Sequence, residues 1–163
     1  MTDDLDWIAA LCLDPDVNRF LWDCAATLEQ ARRVAEAIVY LDLHKCHFGH
    51  WAIQDRNSSV IHGWVELGKL RPWSGPSDEI ALSYVLRRES WGQGIATEAS
   101  GRLLRYAFAT HDLDRVMAVT MNGNRASKRV LAKLGMRAIK TTRTAQGKRL
   151  QYFQIDAPAA AQP

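Results

Sequence analysis

An α/β domain is the fold class this sequence predicts, and three observations predict it. Two segments with helical spacing open the chain, at about residues 3–13 and 27–44. From His50 onward the period drops to an alternation of apolar and polar positions. A strand then runs into a glycine-rich turn and a helix, Glu79–Leu86 followed by Trp91-Gly-Gln-Gly94. The 163 residues, 47% hydrophobic and 24% charged, match one ordinary globular domain with a real core. No internal repeat or linker interrupts it, so residues 1–156 read as a single domain and 157–163 as a disordered tail.

The first helix carries Leu5, Ile8, Ala9 and Leu13 on one face. Thr27-Leu-Glu-Gln30 has the form of a capping box and opens a second helix through Ala31, Val34, Ala35, Ile38 and Leu41, ending near residues 44–48. Strands are expected over 50–54, 60–67 and 79–86. The first two join through Asp55-Arg-Asn-Ser-Ser59 as a hairpin, and a Pro- and Gly-bearing loop covers 71–77. A helix over 95–110 buries Ala96, Ala99, Leu103, Ala107 and Phe108. A strand over 115–120 follows, then a helix from Asn124 to Leu134 with Gly135 just beyond its end. Strands over 137–142 and 150–155 close the chain around a turn at Gln146-Gly147.

Bulk features narrow the function classes. No run of about 18 uncharged apolar residues exists, so no membrane-spanning helix is expected, and no membrane partner. The acidic start, Met1-Thr-Asp-Asp-Leu-Asp6, lacks the positive charge of a secretory signal, so the expected location is cytoplasmic. Cys12, Cys24 and Cys46 are too sparse for a disulfide framework and read as reduced thiols. His44, Cys46, His47 and His50 fit no standard zinc spacing, so no metal is expected. From Arg115 through Ile155 ten Lys or Arg residues occur with no Asp or Glu, while the first 36 residues hold eight acids against three bases. A one-sided basic half implies an anionic partner: nucleic acid, membrane or a phosphorylated cofactor.

Two glycines ahead of a helix let the backbone approach a ligand, and the helix's first N–H groups then face it. With the helix dipole this makes an anion site suited to a pyrophosphate. Glycine turns of this kind are also ordinary turn chemistry. This one is neither a Walker A loop nor a three-glycine dinucleotide fingerprint.

The surrounding residues add more. Trp91-Gly92-Gln93-Gly94-Ile95-Ala96-Thr97-Glu98-Ala99, Asn124-Arg-Ala-Ser127 and Val130-Leu131-Ala-Lys-Leu134-Gly135-Met136 closely resemble the GNAT superfamily of N-acetyltransferases. Within it, the resemblance is to the branch that includes the ribosomal-protein N-terminal acetyltransferases. It covers roughly residues 49–153. It implies a mixed, mostly antiparallel central sheet flanked by helices, and acetyl-CoA as co-substrate. The family's first strand precedes its first helix. Only a few residues stand before Leu5 here, so that strand is absent or truncated. The resemblance places the pyrophosphate on the turn at Trp91, Gly92, Gln93, Gly94, Ile95, Ala96 and Thr97. It places pantetheine and the acyl carbonyl along Tyr84, Val85 and Leu86. Trp91 departs from the family's usual Gln or Arg three residues before the second glycine.

Acyl transfer to an amine requires removal of a proton from the amine and stabilisation of the leaving thiolate. By resemblance Glu79 sits where many members carry their base; as plain structure it is a surface carboxylate at a strand start. Asn124 and Ser127 read either as helix-capping positions or as groups beside the pantetheine arm and its sulfur, where the Ser127 hydroxyl can donate to the thiolate. Trp22 and Trp73 are the expected acceptor contacts. The expected reaction is direct attack by a peptide N-terminus or small-molecule amine, without a covalent enzyme intermediate. Two rivals remain: an acyl-CoA sensor without turnover, and an RNA- or ribosome-associated protein. The latter expects aromatics on the basic surface, yet residues 115–149 contain no Phe, Tyr or Trp, so no nucleic-acid partner is expected. The sequence leaves a homodimer open.

Overall fold

A computed structural model of the chain describes residues 2–21, 25–43, 48–70 and 78–158. The chain divides into two compact units, Met1–Glu66 with Tyr84–Ala96, and Leu67–Ser83 with Thr97–Pro163.

The first unit is built on helices α1 (Thr2–Leu13), α2 (Pro15–Asn18) and α3 (Leu28–Leu43) and on strand β1 (Gly49–Gln54). It also holds the start of β2 (Ile61–Lys69) and the end of β3 (Ile80–Leu86). α1 packs on α3, and α3 on β1. The fully buried Ala31 and Ala35 lie one turn apart on α3, so the helix backbones approach closely. Ile8, Leu11, Val17, Ile38 and Trp64 fill the space around them. Burying each large side chain contributes about 1.5–3 kcal/mol. Trp7 and Trp64 meet tilted, their ring centroids 6.1 Å apart.

Local capping sets the helix starts. Gln30 N–H donates to Thr27 Oγ1 at 3.2 Å, while the Gln30 side chain accepts from Ala26 N–H at 2.8 Å. The reciprocal bond of the expected capping box thus lands one residue earlier than in the usual form. The short α2 was not expected. Asp14 caps it, accepting from the N–H groups of Asp16 and Val17, with proline in the first turn.

The second unit holds most of helix α4 (Ile95–Thr110), together with β4 (Arg115–Met121), α5 (Arg125–Lys133), β5 (Arg137–Arg143) and β6 (Arg149–Asp156). β4 pairs antiparallel with β6 from Arg115↔Asp156 to Met121↔Leu150. β5 pairs antiparallel with β6, with a bulge between Ala138 and Lys140. Val116, Leu131, Leu150 and Tyr152 are buried. Gly135, at φ +81, ends the α5 segment, and Met136 N–H bonds back to Leu131 O at 3.0 Å. A glycine in the left-handed region is the usual way to stop a helix.

The hydrogen-bonded strand order is β1-β2-β3-β4-β6-β5. β3 and β4 are parallel, with Ala81 opposite Met117. The sheet is therefore mixed and mostly antiparallel, as expected. Among the described residues α1 begins at Thr2 and the six strands follow α3.

Candidate functional site

In the first unit, β3 ends at Leu86 and the chain makes a single 3-10 turn over Arg88–Ser90 before the glycine turn. Ser90 N–H bonds to Arg87 O and Trp91 N–H to Arg88 O, both at 3.0 Å. Two side chains hold the turn from within. The Trp91 indole N–H donates to Leu86 O at 2.9 Å, and Gln93 Nε2 donates to Glu89 O at 2.6 Å. The Trp91 indole N–H and one Gln93 amide donor are thus engaged within the loop.

Gly92 and Gly94 both lie in the left-handed region, at φ +76 and +83, and an added Cβ at either would meet nothing within 4 Å. The space beside them is open. Gly94 directly precedes Ile95, the first residue of α4, and has no side chain with which to cap it. The first N–H groups of a helix lack intrahelical partners. Among the described residues no side chain supplies one for Ile95, Ala96 or Thr97. The positive end of a 16-residue helix thus meets open space, and this arrangement can hold an anion through main-chain donors.

Tyr84, Val85 and Leu86 belong to the same unit as the glycine turn. Gly63 on β2, at φ +145, sits so close to this segment that an added Cβ would fall 2.0 Å from Val85 O. Arg87 N–H donates to His62 O at 2.8 Å. The Leu86 carbonyl, one of the groups expected to serve a ligand, already accepts from Trp91.

In the second unit, Glu79 stands just before β3 and takes a two-point hydrogen bond from Arg115: Nη2 to Oε1 at 2.6 Å and Nε to Oε2 at 3.0 Å. The Arg115 hydrogen bond holds the Glu79 carboxyl below its ordinary value of 4.5, with the Arg115 and Lys140 charges adding to the effect. The stability this pairing adds is present above that ordinary value and lost as pH falls through the lowered one. A carboxylate held in this way is a weaker proton acceptor at neutral pH than a free one. The two-point bond ties the residue just before β3 to the first residue of β4.

Asn124 caps α5, its Oδ1 accepting from Ser127 N–H at 3.0 Å. Lys128 Nζ donates to Asn122 Oδ1 at 2.7 Å. The cap fixes the first turn that carries the half-buried Ser127. Trp22, Trp73, Cys24, Cys46, His44 and His47 lie outside the described residues. His50 pairs with Glu66 at 3.3 Å. Among the described residues no group of three or more His, Cys, Asp or Glu side chains is arranged to hold a metal, and no helix is long and apolar enough to cross a membrane.

One polar cluster next to the turn was not foreseen. His62 Nδ1 lies 2.7 Å from Ser90 Oγ, and His62 Nε2 lies 3.9 Å from Asp55 Oδ2. Asp55 is held below its ordinary carboxyl range first by the Asn57 N–H and then by the Ser58 hydroxyl. His62 and Ser90 are 28 residues apart in the chain, so no local motif announces their contact.

A family profile described as an acetyltransferase (GNAT) domain matches residues 1–137. The FsC-acetyl coenzyme A-N(2)-transacetylase of Aspergillus fumigatus is 32% identical over 136 residues, which cover 80% of this chain and 57% of that protein. Two solved structures share the fold. The ribosomal-protein-S5-alanine acetyltransferase of Vibrio fischeri matches with TM-score 0.74 at 20% identity, over 99% of this chain and 92% of that one. The spermidine N-acetyltransferase of Vibrio cholerae, in complex with CoA and spermine, matches with TM-score 0.75 at 15% identity, over 96% and 92% of the two chains.

Proposed function

The chain belongs to the GNAT family of acetyltransferases, and we propose that it acetylates a primary amine by direct attack of that amine on acetyl-CoA. The acceptor is a peptide N-terminus or a small-molecule amine, and the reaction runs in the cytoplasm. The observation that carries this reading is the open, uncapped start of α4 behind two left-handed glycines.

The residues present fit the co-substrate. An anionic diphosphate needs several donors and space for close approach; the amides from Gly92 to Thr97 offer donors, and the open positions of Gly92 and Gly94 offer space. Tyr84, Val85 and Leu86 precede the turn on the same unit and line the path for pantetheine through their main-chain groups. Acetyl-CoA supplies an activated thioester whose C–S bond breaks as the new N–C bond forms. Ser127, carried on the helical turn that Asn124 caps, supports that exchange by donating its hydroxyl proton to the departing thiolate. The buried Cys12 belongs to the apolar core and takes no part. Glu79 stays ionised and paired to Arg115, and the amine proton leaves through water. Trp22 and Trp73 are the acceptor contacts in this reading.

Two of the structural relatives carry acceptors in their names, a protein alanine in one and spermidine in the other, so a screen must cover both chemistries. Release of free coenzyme A should be followed with short peptides bearing different N-termini and with polyamines and other small amines. At least one should drive acetyl-CoA turnover well above the hydrolytic background. In that assay Ser127→Ala should lower kcat by about ten- to hundred-fold while KM for acetyl-CoA stays near its original value. Full rate in Ser127→Ala would remove the thiolate-donor assignment. Failure of acetyl-CoA to bind at millimolar concentration would remove the enzyme reading itself.

A further inference from the structure

We propose that His62 is a positioning residue for the proposed co-substrate turn, acting through Ser90, with Asp55 setting its tautomer. This inference rests on the reading of Gly92–Thr97 as the diphosphate cradle.

Segment 87–90 is fixed at both ends to a single residue. At one end the His62 main-chain carbonyl accepts Arg87 N–H at 2.8 Å. At the other, the His62 ring meets Ser90 Oγ at 2.7 Å. Between these points lies only the 3-10 turn, closed by the bonds from Ser90 N–H to Arg87 O and from Trp91 N–H to Arg88 O. His62 itself is anchored by its neighbour. Gly63 brings β2 against Val85 so tightly that even a methyl group would collide with the Val85 carbonyl. Any shift of His62 relative to the end of β3 is therefore resisted by packed backbone.

The ring is oriented as well as placed. Its side chain is 18% exposed, while Ser90 is buried. A buried hydroxyl left without a partner costs the desolvation of that group. Asp55 Oδ2 lies on the Nε2 side at 3.9 Å, too far for a hydrogen bond but close enough to favour the proton on Nε2. Nδ1 then carries the lone pair, and the Ser90 hydroxyl donates to it. Asp55 is held in place by the hairpin, accepting from Asn57 N–H at 2.8 Å and from Ser58 Oγ at 3.2 Å. The chain of contacts thus runs from the β1–β2 hairpin through the imidazole to Ser90, immediately before Trp91 and the two glycines. Helix-start amides bind an anion well only if they are held in one geometry before it arrives, and this chain supplies the hold.

Calorimetry with acetyl-CoA and steady-state kinetics, using the full chain, test the assignment. His62→Ala and Ser90→Ala should each weaken acetyl-CoA binding by about ten-fold, raising KM while leaving kcat at saturation within about two-fold. His62→Asn places an amide where Nδ1 stood and should restore binding to within about three-fold of the original, a rescue that a merely structural role would not give. The double variant His62→Ala/Ser90→Ala should be no weaker than either single one, because both remove the same contact. Asp55→Asn should cost about two- to three-fold. Melting temperatures identify any variant that fails to fold, and His62→Asn then decides. If the original chain binds acetyl-CoA and His62→Ala and Ser90→Ala bind equally well, or lose kcat instead of affinity, the positioning role is overturned. If the original chain does not bind, it is the proposed function that has failed.

Discussion

The molecule has two strand-to-helix turns with opposite solutions to the same problem. At the β4-to-α5 turn, Asn124 N–H closes onto Met121 O at 2.9 Å, and the Asn124 side chain caps Ser127 N–H. That helix start is satisfied from within. At the β3-to-α4 turn, the side chains of Trp91 and Gln93 bond to carbonyls of the preceding segment, and the residue before the helix is a glycine that cannot cap. One turn spends its polar groups on the helix it begins. The other spends them on holding a loop still and leaves the helix amides open. A polar cap in place of Gly94 would add only about a few tenths of a kcal/mol, so what separates the two turns is the open space beside the glycines of the second. The open start is the feature on which the proposed diphosphate site rests.

The contrast can be broken at either turn, and the larger effect belongs to the first. Gly94→Val forces a β-branched side chain into φ +83 and fills the open space, so acetyl-CoA affinity should fall at least about 100-fold. Calorimetry reads this directly, and a far-ultraviolet dichroism spectrum like that of the original chain would show the loss to be local. Asn124→Ala removes the α5 cap and should lower stability by about 1 kcal/mol, which moves the melting temperature by roughly 2–4 °C for a chain of this size. Its acetyl-CoA affinity should fall far less than that of Gly94→Val, by under about ten-fold, because Asn124 offers at most one side-chain contact to the pantetheine arm. If the two variants lost affinity equally, the distinction between an open and a closed helix start would carry no functional meaning.

What was legible in the sequence follows the range of the interactions. The glycine turn, the Asn124 cap, the Gly135 stop and the Asp55 hairpin are each set by residues a few positions apart, and each stands where the sequence puts it. The element bounds also hold to within a residue or two. α2 was missed although its signal is local, an aspartate followed by proline at the first helical position. Four residues are too few to show a period. The contacts of Glu79, His62 and Ser90 were hidden for a different reason. Glu79 meets Arg115 across 36 residues, and His62 meets Ser90 across 28. Strand pairing creates those contacts, and no spacing along the chain encodes them. Gly63 reads as an unremarked strand glycine until its φ of +145 and the approach of Val85 give its reason.

The central claim is that main-chain amides of the glycine turn receive the diphosphate. Amide resonances and hydrogen-exchange rates, measured with and without saturating coenzyme A, address it residue by residue. The amides from Gly92 to Thr97 should shift and become protected from exchange, while those of Ala138 to Thr142 on β5, outside the proposed site, change far less. Binding of coenzyme A that left Gly92–Thr97 unshifted and unprotected would contradict the account.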